Sequence, residues 1–518
     1  MINIPANGHT KFAISERMVP LMYKRTPFSL AILSLILLSQ LAACASSAPD
    51  SNTVETTTNA SDETSAAAEE TSEYVSPDVD YEGETFTIAA MDLDMVYAVT
   101  NYTMISHDEE TGDVINDAIV QMTRKVEEDL NVNLELYPLT NDDRATIDKV
   151  TRFIYAGEDE IQVTFPFTVA LKNYLGTPSL LLDLNSIPTL DLSHSWWDQN
   201  SIEAYNIGGK QYTAVGDICF FAKCAPIVNF FNKQLLEEYS LDDPYEMVFD
   251  GTWTIDKMIE LGRAAANDVN GNSTVDLDDT FGCIAESTSL GYFFTGAGID
   301  WSKRDGDEIT ITVYNEKSMN IAEMLVPFFR DKTVTMIPND YTGYTDVFQE
   351  LFLPHFMANR SLFFSNQLLL ALDFREMEAD FGVLPLPKYD ENQENYRSTT
   401  NDHWLDHMVV PATNARLELT GHVLDAMGYY SQQLVTPAFI ETTVLDKTLR
   451  DENSEAIIEM IYDTQVYDIA LAFNWGSITG VVSNMINNNT TNFSSLYASS
   501  ESAILAAMDK TMEELLDT

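Results

Sequence analysis

The sequence Glu-Thr-Phe-Thr-Ile-Ala-Ala-Met at residues 84–91 decides the fold. Within it Phe86, Ile88 and Ala90 alternate with their neighbours, which is the period-2 pattern of a β-strand. Over residues 114–136 an apolar pattern at helical spacing then gives way to alternation again. A strand, a helix and a strand in this order require a crossover connection, so we expect a largely parallel sheet with helices on its faces.

The loops that follow these strands are the expected place for a ligand. In open parallel sheets, ligands bind beyond the carboxyl ends of the strands. Asp92 directly follows the first strand, and Phe167 follows the short apolar run at residues 161–165. We therefore expect Asp92 and Phe167 to face a binding site.

Length and charge limit the class of protein. The chain has 518 residues, with 81 acidic against 28 basic side chains and a formal net charge of -53. Nucleic-acid binding needs a basic face, so this balance argues against a nucleic-acid partner. With roughly 80 residues set aside as a leader and tether, the remaining length suggests two or three domains.

An export signal is expected at the start of the sequence. The apolar run at 29–41 follows two basic residues and leads into Leu-Ala-Ala-Cys at 41–44. That run is shorter than the about 20 apolar residues that span a bilayer. It resembles a bacterial lipoprotein signal at 1–43, cut before Cys44, which would carry the lipid. The alternatives are an ordinary secretory signal with a chance cysteine and a buried apolar helix.

The segment at residues 44–80 differs in composition from the rest of the chain. It is rich in Ser, Thr, Ala and Glu and has no aromatic residue before Tyr74. Such a composition buries too little apolar surface to offset the entropy of ordering. We expect a disordered tether between the lipid anchor and the folded part.

The remaining cysteines do not indicate a metal site. Besides Cys44 the sequence has Cys219, Cys224 and Cys283, without the paired Cys motifs of a zinc site. Cys219 and Cys224 could form a disulfide outside the cell or remain buried thiols. The sequence leaves both alternatives open, because only geometry decides between them.

An acidic loop at residues 268–279 has the spacing of a calcium site. Its oxygen-bearing residues at loop positions 1, 3, 5, 7, 9 and 12 are Asp268, Asn270, Asn272, Thr274, Asp276 and Asp279. Calcium loops place oxygen ligands at these positions. Ser273 replaces the usual glycine, and Asp279 replaces the usual glutamate. The loop therefore predicts a structural Ca²⁺ site, with a solvated acidic turn as the alternative.

Several short motifs, taken in order, resemble one family. They are Trp196-Trp197-Asp198-Gln199, Gly209-Lys210-Gln211-Tyr212, Asn232-Lys233, Trp253-Thr254, the acidic loop at 268–279, Leu384-Pro385-Leu386-Pro387 and Asn474-Trp475-Gly476. From about Glu84 onward the chain resembles the extracellular solute-binding proteins of ABC importers, family 1, the sugar-binding group. Its order of motifs, together with Cys44, is most similar to the long acidic lipoproteins of anaerobic Gram-positive bacteria.

This resemblance implies a two-lobe α/β fold of the class II periplasmic-binding-protein type, with a ligand cleft between the lobes. By analogy, lobe 1 comprises 84–220 and 408–470, lobe 2 comprises 225–398 and 471–518, and the hinge uses segments near 219–225 and 399–407. The sequence lacks the lysine richness common in relatives, which counts against polyanionic sugars.

Sugar clefts combine aromatic plates with polar groups at the rim. The candidate plates are Phe167, Tyr292, Trp404 and Trp475, and the candidate rim residues are Asp92, Asn366, Gln367, Asp402 and His403. The resemblance places Trp404 at the hinge and Trp475 on the cleft wall. For each aromatic residue, packing in the core is the competing interpretation, because large aromatics dominate protein cores. We expect Trp196, Trp197 and Trp253 to be packing residues.

The expected function is capture of a solute without chemistry. The resemblance implies a monomer on the extracellular face of the cytoplasmic membrane, lipid-anchored, that binds a carbohydrate and delivers it to the membrane subunits of an ABC permease. We expect no catalytic residue and no catalytic cofactor, since nucleophile-elbow, zinc-helix and phosphate-loop motifs are all missing from the sequence. The alternatives are an extracellular carbohydrate-active hydrolase and a solute sensor that signals through a membrane partner.

Overall fold

A three-stranded and a five-stranded β-sheet organise the chain in the computed structural model. The structure describes residues 74–91, 102–139, 148–401, 405–442 and 452–516, which belong to a unit spanning Glu69–Thr518. The strands are β1 (Glu84–Met91), β2 (Val132–Leu139), β3 (Val163–Thr164), β4 (Asn206–Ile207), β5 (Lys210–Gln211), β6 (Ile227–Asn232), β7 (Phe281–Ile284), β8 (Ser302–Asp305), β9 (Glu308–Ile311), β10 (Thr335–Met336), β11 (Ser361–Gln367) and β12 (Phe381–Leu384).

Helices cover both sheets. They are α1 (Val114–Leu130), α2 (Asp148–Ala156), α3 (Thr168–Leu175), α4 (Gln199–Tyr205), α5 (Phe220–Cys224), α6 (Lys233–Tyr239), α7 (Pro244–Phe249), α8 (Ile255–Ala265), α9 (Ser289–Gly296), α10 (Glu316–Phe329), α11 (Leu353–Met357), α12 (Ala371–Phe374), α13 (Leu417–Tyr430), α14 (Thr436–Ile440), α15 (Glu452–Asp463), α16 (Ile469–Phe473), α17 (Ile478–Asn487) and α18 (Phe493–Leu516).

The first sheet confirms the expected strand–helix–strand unit. Its order is β2-β1-β3, and both pairings are parallel. Phe86 and Ile88 of β1 are fully buried, and α1 connects the central strand β1 to the edge strand β2. Asn131 ends α1 in the left-handed region at φ 49, which allows the chain to turn at once into β2. This sheet is the core of lobe 1.

The second sheet forms the core of lobe 2 and has the order β10-β7-β11-β6-β12. Strand β11 runs parallel to β7 and antiparallel to β6. All residues of β6 are buried, so both of its faces are covered. Thr254 caps the N-terminus of α8, since its hydroxyl accepts from the Lys257 amide at 3.4 Å.

Two connecting segments lie side by side between the sheets. The chain leaves the first sheet through α5 into β6, and residues 399–401 and 405–409 belong to the returning segment. Pro226 and Thr400 pair in a short bridge between these segments. Met408 and Val409 then pair antiparallel with Ala214 and Thr164 of lobe 1. The fold is therefore mixed α/β with two lobes, as expected.

The later helices divide differently from the expected lobe boundaries. Helix α13 packs on α1 of lobe 1. Helix α15 packs against β12 of lobe 2, where the Ser454 and Tyr245 hydroxyls are 2.7 Å apart. The expected range 408–470 placed this helix in lobe 1, so that part of the boundary needs correction.

No helix among the described residues has the length and apolar character required to cross a membrane. Cys44 and the expected signal and tether up to residue 73 lie outside the described residues.

Candidate ligand-binding site

A pocket lies at the carboxyl ends of the first sheet, next to both connecting segments. Its lining residues are Ala90, Tyr102, Thr103, Met104, Phe165, Phe167, Phe220, Phe221 and Asp406. The part that a water-sized group can enter is about 20 Å³, within about 350 Å³ of empty space that includes open solvent. Ala90 belongs to β1 and Phe165 directly follows β3, which is where parallel sheets place their ligands.

Aromatic rings that pack edge to face form one wall of the pocket. Phe167 and Phe221 have ring centroids 5.4 Å apart at an interplanar angle of 81°. The ring centroid of Phe220 lies 5.8 Å from that of Phe221 and 5.9 Å from that of Tyr102. Such T-shaped pairs are a preferred aromatic geometry. The wall is therefore held in place by its own packing before any ligand arrives.

Tyr102 is fixed by the first helix. Its hydroxyl donates to Asp113 Oδ2 at 3.0 Å, and Asp113 also caps α1 by accepting from the Asn116 amide at 2.9 Å. Burial and then the nearby Asp113 charge raise the pKa of Tyr102, while Arg375 of lobe 2 lowers it. Tyr102 thus presents a neutral ring to the pocket with its hydroxyl hydrogen already committed.

Asp406 is the charged residue of the pocket lining. It is only 2% exposed, and neither carboxylate oxygen has a hydrogen-bond partner among the described residues. Burial raises the pKa of Asp406 to about 7, and the nearby backbone N–H groups of Asp406 itself, Ala222 and Phe221 oppose this rise without meeting hydrogen-bond geometry. A carboxylate without partners in an apolar site is costly.

The residue after Asp406 points to a different neighbour. His407 Nε2 lies 3.0 Å from the Thr168 hydroxyl, and burial lowers the pKa of His407 to about 3. The imidazole is therefore neutral at physiological pH. It connects the second connecting segment to the start of α3 and adds no positive charge near Asp406.

The thiols of the first connecting segment are free. Cys219 and Cys224 flank α5 and are both buried and unpaired, so the structure favours buried thiols over a disulfide. Burial raises the pKa of both thiols well above its usual value, with Asp406 adding to the rise. They contribute neutral, apolar surface under the pocket.

Of the expected ligand-binding residues, Phe167 lines this pocket. Asp92, Asp402, His403 and Trp404 lie outside the described residues, although their neighbours in sequence border the pocket. Their roles stay predictions.

Tyr292, Asn366, Gln367 and Trp475 are not among the residues that line the pocket. Trp475 is buried, stacks on Phe473 at 5.4 Å and donates from Nε1 to the Thr511 hydroxyl at 3.0 Å. Gln367 is buried at the end of β11, where it pairs with Ile227 next to the hinge. Tyr292 lies half-buried on α9. The roles of Tyr292, Asn366, Gln367 and Trp475 in ligand binding stay predictions.

Sequence reasoning missed Asp406, Tyr102, Phe220 and Phe221. One usable signal was present, since Asp406 and His407 are the polar residues in the run from Leu405 to Val410. An acidic residue inside such a run needs either a partner or a function.

The acidic loop forms a set of turns around its own side chains. Asp268 Oδ1 accepts from the Gly271 amide at 2.7 Å, and its Oδ2 accepts from the Ser273 amide at 2.7 Å. Ser273 adopts a left-handed φ of 64, the conformation that usually calls for glycine. Asp279 is fully buried and accepts from the Val269 amide at 3.0 Å. Among the described residues, no three His, Cys, Asp or Glu side chains converge as a metal site.

Sequence comparisons give no assignment. No family model matches the chain, and no curated protein matches it.

Solved structures match over most of the chain. The ABC substrate-binding protein Lmo0181 from Listeria monocytogenes, solved with cycloalternan, is 15% identical, with a TM-score of 0.55 over 82% of this chain and 99% of that one. The GacH receptor of Streptomyces glaucescens, solved unliganded and with acarbose, is 12% identical, with a TM-score of 0.52 over 84% and 99%. An ABC transporter solute-binding protein from Thermotoga lettingae, bound to α-D-tagatose, is 12% identical, with a TM-score of 0.51 over 84% and 100%.

The chain has the fold of these binding proteins. Identities this low establish the architecture, while the ligand and the membrane partner must be argued from the site itself.

Proposed function

We propose that this chain is a lipid-anchored substrate-binding protein that captures a carbohydrate between its lobes and delivers it to the membrane subunits of an ABC importer. The observation that carries the proposal is the aromatic pocket at the carboxyl ends of the first sheet, bordered by both connecting segments. A ligand held there contacts lobe 1 and the hinge together. Its binding energy can therefore favour one arrangement of the lobes over another.

The composition of the pocket supports a carbohydrate. Aromatic rings provide apolar faces for the C–H groups of a sugar, and a few polar groups fix its orientation. Phe167 and Phe221 form such a wall at the opening, and Asp406 supplies an acceptor. The similar structures were solved with cycloalternan, acarbose and tagatose, which agrees with this ligand class.

The anchor belongs to the same proposal. A lipid on Cys44 would keep the binding protein at the extracellular face of the membrane, next to its permease. Replacing Cys44 with Ser should move the expressed chain from the detergent phase to the aqueous phase in a Triton X-114 partition. Unchanged partition of this variant would contradict the anchor.

We also propose that the loop at 268–279 binds Ca²⁺ as a structural ion. Oxygen-bearing side chains at the spacing of a calcium loop support this, as does the left-handed backbone at Ser273. Adding Ca²⁺ to the chelated protein should raise its melting temperature, and Asp268→Asn should reduce that rise. A melting temperature that neither Ca²⁺ nor the chelator changes would contradict the proposed calcium site.

The experiment for the main proposal is a thermal-shift screen of the full chain against a glycan library. A ligand that binds only the native state raises the free energy of unfolding, by about 2.7 kcal/mol at a concentration about 100 times Kd. Phe221→Ala, which removes half of the aromatic pair at the pocket opening, should weaken the response to the best glycan. Phe249→Ala is the matched control, since Phe249 is an exposed phenylalanine of α7 away from the pocket.

Two results would contradict this function. If no glycan raises the melting temperature, the carbohydrate proposal fails. If the bound glycan is cut and new reducing ends appear with incubation time, the chain is a hydrolase instead.

A further inference from the structure

The chemistry of the pocket is more selective than that of a general sugar cleft. Its lining offers aromatic and apolar surface together with Asp406. The hydroxyl hydrogens in the lining are already committed, because Tyr102 donates to Asp113 at 3.0 Å and Thr103 donates to the Ile105 carbonyl at 2.6 Å. With Asp406 ionised, the pocket therefore offers a strong acceptor but no uncommitted side-chain donor among its described residues.

No cationic side chain in the described part of the chain pairs with Asp406. Lys223 of the neighbouring helix α5 pairs with Asp217 at 3.2 Å, and His407 is neutral. Arg375 acts on the Tyr102 side of the pocket, and it makes no ion pair with Asp406 within the described part of the chain. A buried carboxylate in this position must take up a proton or obtain a cation from outside.

An ammonium group fits these conditions better than a hydroxyl group. An ammonium has three donors and no acceptor, so it leaves nothing unsatisfied in a pocket without free donors. A hydroxyl also carries acceptor lone pairs that this lining cannot serve. Aromatic rings add cation–π attraction, which is strongest when the cation is desolvated.

We propose that the pocket recognises a positively charged ammonium group of its ligand, held by Asp406 and the surrounding aromatic rings, so that the transported carbohydrate is an amino sugar. The carbohydrate part of this inference rests on the proposed function, while the ammonium part rests on the pocket alone. The raised pKa of Asp406 agrees with it, because the free pocket holds a proton near neutral pH that the incoming cation replaces.

The test compares two cations with their uncharged counterparts by calorimetry on the full chain at pH 7.5. The pairs are glucosamine with N-acetylglucosamine, and choline with 3,3-dimethylbutan-1-ol. The wild-type chain should bind the cationic member of at least one pair about tenfold more tightly, which is the preference expected of a desolvated cation–π and carboxylate site. Asp406→Asn keeps the side-chain shape but removes the charge, and it should abolish that preference.

Glu323→Gln serves as the control for net charge, since Glu323 is exposed on α10 in lobe 2. This variant should retain the wild-type preference, and circular dichroism should show that all three proteins are folded. Equal binding of both members of each pair, or a preference that survives Asp406→Asn, would overturn the inference. If the ammonium inference fails in this way but neutral glycans still bind, the proposed carbohydrate-binding function stands without an ammonium site. If choline is preferred while no glycan binds, the ammonium site stands and the carbohydrate proposal fails.

Discussion

Asp425 and Asp406 are buried carboxylates of lobe 1 in contrasting surroundings. Asp425 on α13 is 7% exposed, and Asp406 in the pocket is 2% exposed. Asp425 Oδ1 accepts from the indole N–H groups of Trp196 and Trp197 at 3.3 and 3.2 Å, and its Oδ2 lies 3.6 Å from His194 Nδ1. Asp406 has no such partner among the described residues.

The difference separates a structural role from a binding role. Burial raises the pKa of both carboxyl groups, but at Asp425 the His194 charge and the tryptophan donors oppose that rise. A buried polar group with its partners built in stabilises one packing arrangement. A buried group without partners has a cost that only an external partner can offset. The four predictions that follow test this contrast, starting with the largest expected effect.

The largest effect concerns the pH dependence of stability. The folded state holds the Asp406 proton up to about pH 7, whereas the usual pKa is 3.8. Between these values the folded state binds more protons than the unfolded state, so stability falls as pH rises. Relative to Asp406→Asn, the wild-type chain should lose about 4 kcal/mol of unfolding free energy between pH 4 and pH 8, measured by urea denaturation.

His407 changes the stability with pH in the opposite direction. Since burial lowers the pKa of His407 to about 3, its contribution is present above pH 6.5 and is lost as pH falls. The His407 contribution is the same in the wild-type chain and in Asp406→Asn, so it cancels when the two stability curves are compared. Parallel stability curves for wild type and Asp406→Asn would contradict the isolation of Asp406.

The second prediction removes the partnered carboxylate. Asp425→Ala leaves two buried indole N–H groups without an acceptor and should lower the unfolding free energy by about 3 kcal/mol. Asp425→Asn retains a carbonyl acceptor and should cost less than half as much. Near-UV circular dichroism should report the loosened tryptophans, and an unchanged melting point for Asp425→Ala would contradict the structural role.

The third prediction concerns Asp468. Its carboxylate links α16 to the antiparallel hairpin of β8 and β9 in lobe 2. It accepts from the Trp301 and Ser302 amides, both at 2.9 Å, and from the Ser302 hydroxyl at 2.6 Å. Asp468→Ala should lower the unfolding free energy by about 2 kcal/mol, less than Asp425→Ala because the site is only partly buried. Ser302→Ala removes one of these hydrogen bonds, so its denaturation midpoint should fall between those of the wild-type chain and Asp468→Ala.

The smallest effect is expected at Trp475. Thr511→Val removes the hydroxyl that accepts from its Nε1 while keeping the side-chain shape. This should cost about 1 kcal/mol, the usual net value of a hydrogen bond. Thr491→Val is the control at an exposed threonine. If Thr511→Val instead leaves stability unchanged and weakens glycan binding, Trp475 belongs to the cleft as the sequence predicts.

Local patterns predicted much of the fold. The alternation of Phe86, Ile88 and Ala90 corresponds to β1, and the helical spacing after it corresponds to α1. Trp196, Trp197 and Trp253 are buried as expected. These elements were predictable because each depends on residues close together in the sequence.

The site depends on contacts that no local pattern contains. Asp406 becomes isolated because Phe167, α5 and the second connecting segment meet in space, although Thr168 and His407 are 239 positions apart. The composition gave no help either, since Asp406 is one of 81 acidic residues. The placement of α15 on lobe 2 was missed for the same reason, because an amphipathic helix does not specify which sheet it covers.

The central claim is that Asp406, whose carboxylate has no hydrogen-bond partner among the described residues, obtains one from the ligand. The most direct measurement is a pH titration of the carboxyl carbons by NMR on the ¹³C-aspartate-labelled full chain, with the Asp406 signal identified by its absence in Asp406→Asn. We expect the free protein to show a pKa near 7 for Asp406, and a lower pKa at saturating glucosamine or choline. Titration of the free Asp406 near its usual pKa of 3.8, unmoved by either cation, would contradict the account.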